Sequence, residues 1–139
     1  MSLKVRDVMS PAPIAVPKTA TLVEAAQRMR VADVGDVLVL DDDRACGLIP
    51  DRDIVVRAIA MNYRPDKTTV DEICSHDLVS VPSDSDIDVA NALMRERSVR
   101  RIPVIDNGVA VGVVSLGDLA IAKDPSSTLA DISAAPPNT

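Results

Sequence analysis

The chain has 139 residues, a formal net charge of −6, 47% apolar and 26% charged residues, the profile of an ordinary soluble globular protein. The acidic balance argues against a surface built to grip nucleic-acid phosphates or an anionic membrane, since both demand a basic face. Tyr63 is the one aromatic residue, with no Phe or Trp, so no stacking platform for single-stranded nucleic acid can be assembled.

No apolar run approaches a bilayer span and no charged-plus-apolar leader opens the chain, so a cytoplasmic location is expected. Cys46 and Cys74 are too few for a disulfide framework and lack CxxC spacing, and they read as reduced, packed residues. The core must be built from Val, Ile, Leu, Ala and Met.

In chain order, Val5 to Met9 is a short amphipathic turn ending before Pro11 and Pro13, and Ile14 to Val16 is an extended segment closed by Pro17. Thr21 opens a helix with Glu24 three residues on, a capping-box spacing, and Leu22, Ala25, Ala26 and Met29 form its apolar stripe. Val37 to Leu40 and Ala45 to Ile49 read as a hairpin around Asp41-Asp42-Asp43. Asp51 is expected to cap a helix running to about Met61, with Ile54, Val55, Ala58 and Ile59 facing inward.

The same order then recurs. Val5, Ser10, Val16, Ala25, Met29, Val39, Gly47 and Asp53 reappear as Val70, Ser75, Val81, Ala90, Met94, Val104, Gly112 and Asp118, at a constant offset of 65 residues and without a gap. Such self-similarity marks an internal duplication. Copy one is assigned to residues 5–61, a polar linker to 62–69, copy two to 70–123 and a tail to 124–139. In copy two the reading is a strand Leu78–Val81, a helix Asp86–Arg97, strands Arg101–Ile105 and Val109–Val114 about an Asn107-Gly108 hairpin turn, and a helix from Ser115. Asp124-Pro125 ends that helix, and a short helix near Leu129 to Ile132 is expected in the tail. One copy is too small to bury its own sheet, so the fold class is α+β, two β-α-β-β-α repeats packed as a pseudo-two-fold pair.

The informative stretch is Gly112 to Asp118, where an apolar strand ends at a hydroxyl and a carboxylate follows three residues later. Ser115 is a natural N-cap, and Asp118 falls in the first turn, where the helix dipole favours negative charge. A capped helix start at a strand end also suits an anion. The matching corner of copy one, Gly47 to Asp53, keeps the carboxylate but carries Pro50 in place of the hydroxyl. Proline lacks both a hydroxyl and an N–H. Arg100 and Arg101 precede the strand of copy two, whereas Gly35 and Asp36 stand at the matching places of copy one. Arginine is the natural fork for phosphate.

The repeat order, with Gly47-Leu-Ile-Pro-Asp-Arg-Asp53 and Arg100-Arg-Ile-Pro-Val104, resembles the cystathionine-β-synthase (CBS) domain family, and in particular a small stand-alone bacterial tandem pair, or Bateman module. The resemblance implies a non-catalytic regulatory module. It would bind an adenosine-containing ligand (AMP, ADP, ATP or S-adenosylmethionine) in clefts between the repeats and require no cofactor. It also implies a homodimer and a protein target regulated in trans. Carried onto this chain, Asp118 and Asp53 would hold ribose hydroxyls, and Ser115 with Arg100 and Arg101 would hold phosphate. Lacking aromatics, adenine would lie among Ile14, Val37, Val79, Ile102 and Pro103, all of which also suit plain core. The alternative is a structural or interaction protein that binds no ligand and acts through its dimer surface.

His76 is the only histidine, so a catalytic dyad or multi-histidine metal site is not expected, and His76 itself reads as a solvated loop residue. Asp41-Asp42-Asp43 lacks the spaced ligands of a calcium loop. No metal is therefore assigned. Cys46 reads as packing, and Cys74 as the better candidate for a reactive thiol.

Overall fold

The computed structural model describes residues 3–11 and 13–123. Helix α1 (Val5–Val8) is followed by β1 (Ser10–Pro11), β2 (Ala15–Pro17), α2 (Leu22–Ala32), β3 (Asp36–Asp41) and β4 (Arg44–Pro50). Helix α3 (Asp51–Asp53) runs directly into a π-helix, Ile54–Ile59. Copy two supplies α4 (Val70–Ile73), α5 (Ile87–Arg97), β5 (Arg101–Asp106), β6 (Val109–Ser115) and α6 (Leu116–Lys123). The expected tail helix near Leu129 to Ile132, and the stop at Asp124-Pro125, lie outside the described residues.

The chain folds as two compact units, and they are not the two sequence copies. One unit comprises the described residues up to Pro13 together with those from Val79 onward, and the other comprises Ile14 to Leu78. In the first, β6 lies between β1 and β5, antiparallel to both. In the second, β3 lies between β2, which is parallel to it, and β4, which is antiparallel. The duplication explains this partition. Ser10 of copy one pairs with Val113 of copy two, and at the same offset Ser75 of copy two bridges Leu48 of copy one. Each copy's first helix thus joins the unit formed by the other copy's sheet.

The cores repeat the 65-residue offset. Leu22, Ala25, Met29, Val37, Val39, Ile49 and Ile54 bury one unit. Ile87, Ala90, Met94, Ile102, Val104, Val114 and Leu119 bury the other. Thr21 caps α2 by accepting from the Glu24 amide at 3.2 Å, and Asp86 caps α5 through the Asp88 amide at 3.1 Å. Both helices end on a left-handed residue, Asp33 and Ser98. Asn107 and Gly108 both take positive φ, 53° and 82°, as a tight primed hairpin turn requires.

Several expectations fail. Leu78–Val81 is not a strand. Only Val81 reaches β5, through a single parallel bridge to Val104, while the matching Val16 sits inside the three-residue strand β2. The helix after β4 is not α-helical throughout, because Ala60 donates to the Val55 carbonyl and Tyr63 to that of Ala58, five residues back. Such wider turns mark a π-helix. Ile54 and Ala58 face the core, but Val55 and Ile59 are about half exposed, at 59% and 50%. Val56, Met61 and Tyr63 are exposed beside them. Among the described residues, no helix is long and apolar enough to cross a membrane.

Candidate functional site

The Ser115 corner forms a reciprocal capping box. The Asp118 amide donates to Ser115 Oγ at 3.0 Å, and the Ser115 amide donates to Asp118 Oδ2 at 2.9 Å. Two amides that the α6 helix start would leave orphaned are satisfied at once. Leu116 N–H is taken by the Arg100 carbonyl at 2.8 Å, and Arg101 is in register with Ser115 across β5 and β6. The strand pairing therefore brings Arg100, Arg101, Ser115 and Asp118 to one end of one sheet. Both arginines are exposed, and Ser115 and Asp118 are half-buried.

Pro50 ends β4 at the matching corner. The Asp51 amide donates to the Gly35 carbonyl at 2.8 Å, the counterpart of the Leu116–Arg100 bond. No side chain caps α3, whose N-cap residue is Pro50 itself. The expectation that Asp51 caps this helix is corrected, because Asp51 is already its first residue and uses its own N–H on Gly35. Asp53 has no Pro50 amide to accept from, and its carboxylate instead lies 3.8 Å from Arg57 one turn on.

The apolar candidates divide by burial. Ile102 and Val37 are 0% and 1% exposed within their respective cores, and Pro103 is buried on β5. Val79 and Ile14 are partly buried, each packed on the core of its own unit. Ile14, Val37 and Asp53 belong to one unit and the other seven residues to its counterpart.

A second cluster was not legible as such in the sequence. Asp71 lies in α4 and Cys74 is its C-cap, one helical turn apart. The chain then returns to β4, where Ser75 and Leu48 exchange both backbone bonds at 3.1 Å. This places His76 Nε2 at 3.7 Å from Cys74 Sγ and 3.7 Å from Asp71 Oδ1. His76 Nδ1 lies 3.3 Å from the Cys46 carbonyl. Gly47 leaves the necessary room, since a Cβ there would stand 2.9 Å from Cys74 Sγ and 2.8 Å from the Ser75 carbonyl. Burial, aided by the neighbouring Asp71 charge, pushes the Cys74 thiol up to about 11. That shift, at a thiol whose residue is buried, argues against the thiolate character that a reactive cysteine needs. Cys46, half-buried on β4, is also raised, mainly by burial.

The copies differ at one further pair. Lys18 Nζ meets Asp41 at 3.2 Å in one unit. At the matching place Asp106 accepts from Ser83, from the amide at 2.9 Å and the hydroxyl at 2.6 Å. Those two bonds lower the Asp106 pKa below the usual carboxylate range.

Two strand-and-helix repeats in a fixed 65-residue register, each ending in a strand-to-helix corner with a first-turn carboxylate, define a tandem repeat of one small α+β domain. The CBS domain family matches residues 5–59 and 70–124, and the chain belongs to it. Protein MK0525 of Methanopyrus kandleri is 32% identical over 116 residues, which are 82% of this chain but only 57% of that protein. Among solved structures, Hypoxic Response Protein I, crystallised with two coordinated zinc ions, is 35% identical with a TM-score of 0.79. That match covers 85% of this chain and 97% of that one. The CBS domain pair of MJ0100, in complex with 5′-methylthioadenosine and S-adenosylmethionine, shares the fold at a TM-score of 0.80 and 23% identity, covering 91% and 100%. CBS pairs are typically regulatory modules.

Proposed function

We propose that this chain is a non-catalytic sensor that binds an adenosine-containing ligand at the Ser115–Asp118 corner and regulates a protein target in trans. The observation that carries the reading is the state of that corner. The capping box uses one lone pair of Ser115 Oγ and the Oδ2 atom of Asp118. Among the described residues, no hydrogen bond engages the Ser115 hydroxyl proton or Asp118 Oδ1, which leaves both for a ligand. A carboxylate oxygen can accept from a ribose hydroxyl, a hydroxyl can donate to phosphate, and Arg100 and Arg101 lie at the same sheet end. Asp53 is the weaker counterpart, engaged with Arg57. That MJ0100 carries adenosine-type ligands on the same fold supports the ligand class. Titration calorimetry of the full chain with AMP, ATP, S-adenosylmethionine and NADH tests it. Saturable heat with at least one is expected, and silence with all four, accompanied by no thermal shift, overturns the reading.

One observation favours a second reading, in which the chain acts through its own surface. Val55, Val56, Ile59 and Met61 are exposed together along and just beyond the π-helix, an apolar face suited to a second copy. Sedimentation of Ile59→Lys decides it: a shift to monomer is expected, and an unchanged dimer rejects the face.

A further inference from the structure

We propose that Asp71 Oδ1, Cys74 Sγ and His76 Nε2 form a zinc site with three protein ligands and a fourth position open to water. The three atoms lie within 4.8 Å of one another. Tetrahedral zinc, with Zn–S of about 2.3 Å and Zn–N and Zn–O of about 2.0–2.1 Å, sets ligand-to-ligand separations of roughly 3.3–3.6 Å. The two His76 separations, both 3.7 Å, need only a small contraction to reach it.

The surroundings orient the histidine for this task. A carbonyl can only accept, so the contact between His76 Nδ1 and the Cys46 carbonyl requires the proton on Nδ1. The Nε2 lone pair is thereby turned toward Cys74 and Asp71, an outer-shell bond of the kind that fixes metal-binding histidines. The backbone around the trio is fixed on both sides, by α4 and by the Ser75–Leu48 bridge, and Gly47 leaves space at the sulfur. One nitrogen, one sulfur and one carboxylate oxygen form a borderline donor set. It suits zinc and disfavours calcium or magnesium, which prefer oxygen alone. On binding, the Cys74 S–H bond breaks, the sulfur pair forms the Zn–S bond and the proton leaves to solvent. No oxidation state changes.

The test uses the reduced full chain, stripped with chelator and titrated with zinc chloride in a competing metal buffer, with cobalt chloride in parallel. One zinc per chain is expected, together with a near-ultraviolet thiolate-to-cobalt charge-transfer band and a rise in thermal midpoint. His76→Gln and Cys74→Ser should each weaken zinc binding about tenfold or more, Asp71→Asn less, and Cys74→Ser should lose the cobalt band. His76 is exposed, so His76→Gln keeps the fold and decides the matter even where Cys74→Ser, at a buried position, proves unstable by circular dichroism. No zinc uptake, or equal affinity in wild type and His76→Gln, overturns the site. A cobalt complex without the charge-transfer band removes Cys74 from it.

Discussion

The two strand-to-helix corners share a backbone plan, and of the residues that differ between them, Pro50 in place of Ser115 changes what the carboxylate does. At both, the first helical amide donates to a carbonyl 16 residues earlier, Leu116 to Arg100 and Asp51 to Gly35. At the Ser115 corner the carboxylate three residues on folds back to the chain and closes the capping box. At the Pro50 corner that bond has no donor, and the Asp53 carboxylate instead lies 3.8 Å from Arg57. The helix beyond Ser115 remains α-helical through Lys123, whereas the one beyond Pro50 changes to π after three residues. A duplicated backbone has thus been kept while the chemistry at its two ends diverged. The lesson is that a matching carboxylate in a repeat does not imply a matching site.

The comparison breaks most visibly in ligand binding. Asp118→Ala should weaken adenosine-ligand affinity about ten- to a hundredfold, from the roughly 1.5–3 kcal/mol of a hydrogen bond to a charged group. Asp53→Ala should change it much less, and equal losses in calorimetry would remove the asymmetry. Next in size, Ser115→Ala removes the N-cap acceptor for the Asp118 amide and should cost about 1 kcal/mol of unfolding free energy in urea titrations. An unchanged midpoint at unchanged slope would show that the box adds no stability.

A subtler test rebuilds the missing half. In the natural chain Asp53→Ala should cost at most about 0.5 kcal/mol, the worth of an exposed i,i+4 ion pair. In a Pro50→Ser background, where both cap partners exist, the same change should cost about 1 kcal/mol. Equal costs in the two backgrounds would mean that Pro50 does not control Asp53.

The smallest effect concerns the other divergent pair. The two Ser83 bonds hold the Asp106 pKa below its ordinary value. The associated stability is therefore present above the unfolded-state pKa and lost as pH falls through the folded one. Ser83→Ala should return Asp106 toward the ordinary carboxylate range in an NMR titration and flatten the acid limb of the stability curve. An unmoved Asp106 resonance would assign the shift to another cause.

Much of the site was readable in one dimension because its bonds are local. Ser115 and Asp118 are three residues apart, and helix-capping chemistry acts over that distance. The offset between Val5 and Val70 likewise located both repeats and paired core positions such as Val16 with Val81 and Val39 with Val104. Other features were hidden for physical reasons. Val55 and Ile59 fit an apolar helical stripe, but the π-helix leaves both half exposed, and Asp51 looked like a cap until its amide was found bonded to Gly35. His76 is the exposed loop residue the sequence suggested, but its contact with the Cys46 carbonyl, 30 residues away, could not be read from spacing.

By itself the sequence determined the duplication, the α+β class, the apolar core and the inequality between Pro50 and Ser115. These follow from periodicity, composition and the covalent chemistry of single residues. Only the tertiary structure decided that each copy's first helix joins the unit built on the other copy's sheet. It alone also decided that Asp71, Cys74 and His76 converge beneath Gly47. Both depend on strand pairings between distant segments, Ser10 with Val113 and Ser75 with Leu48. Local propensity carries no record of such pairings, because they are selected by the surface they bury together.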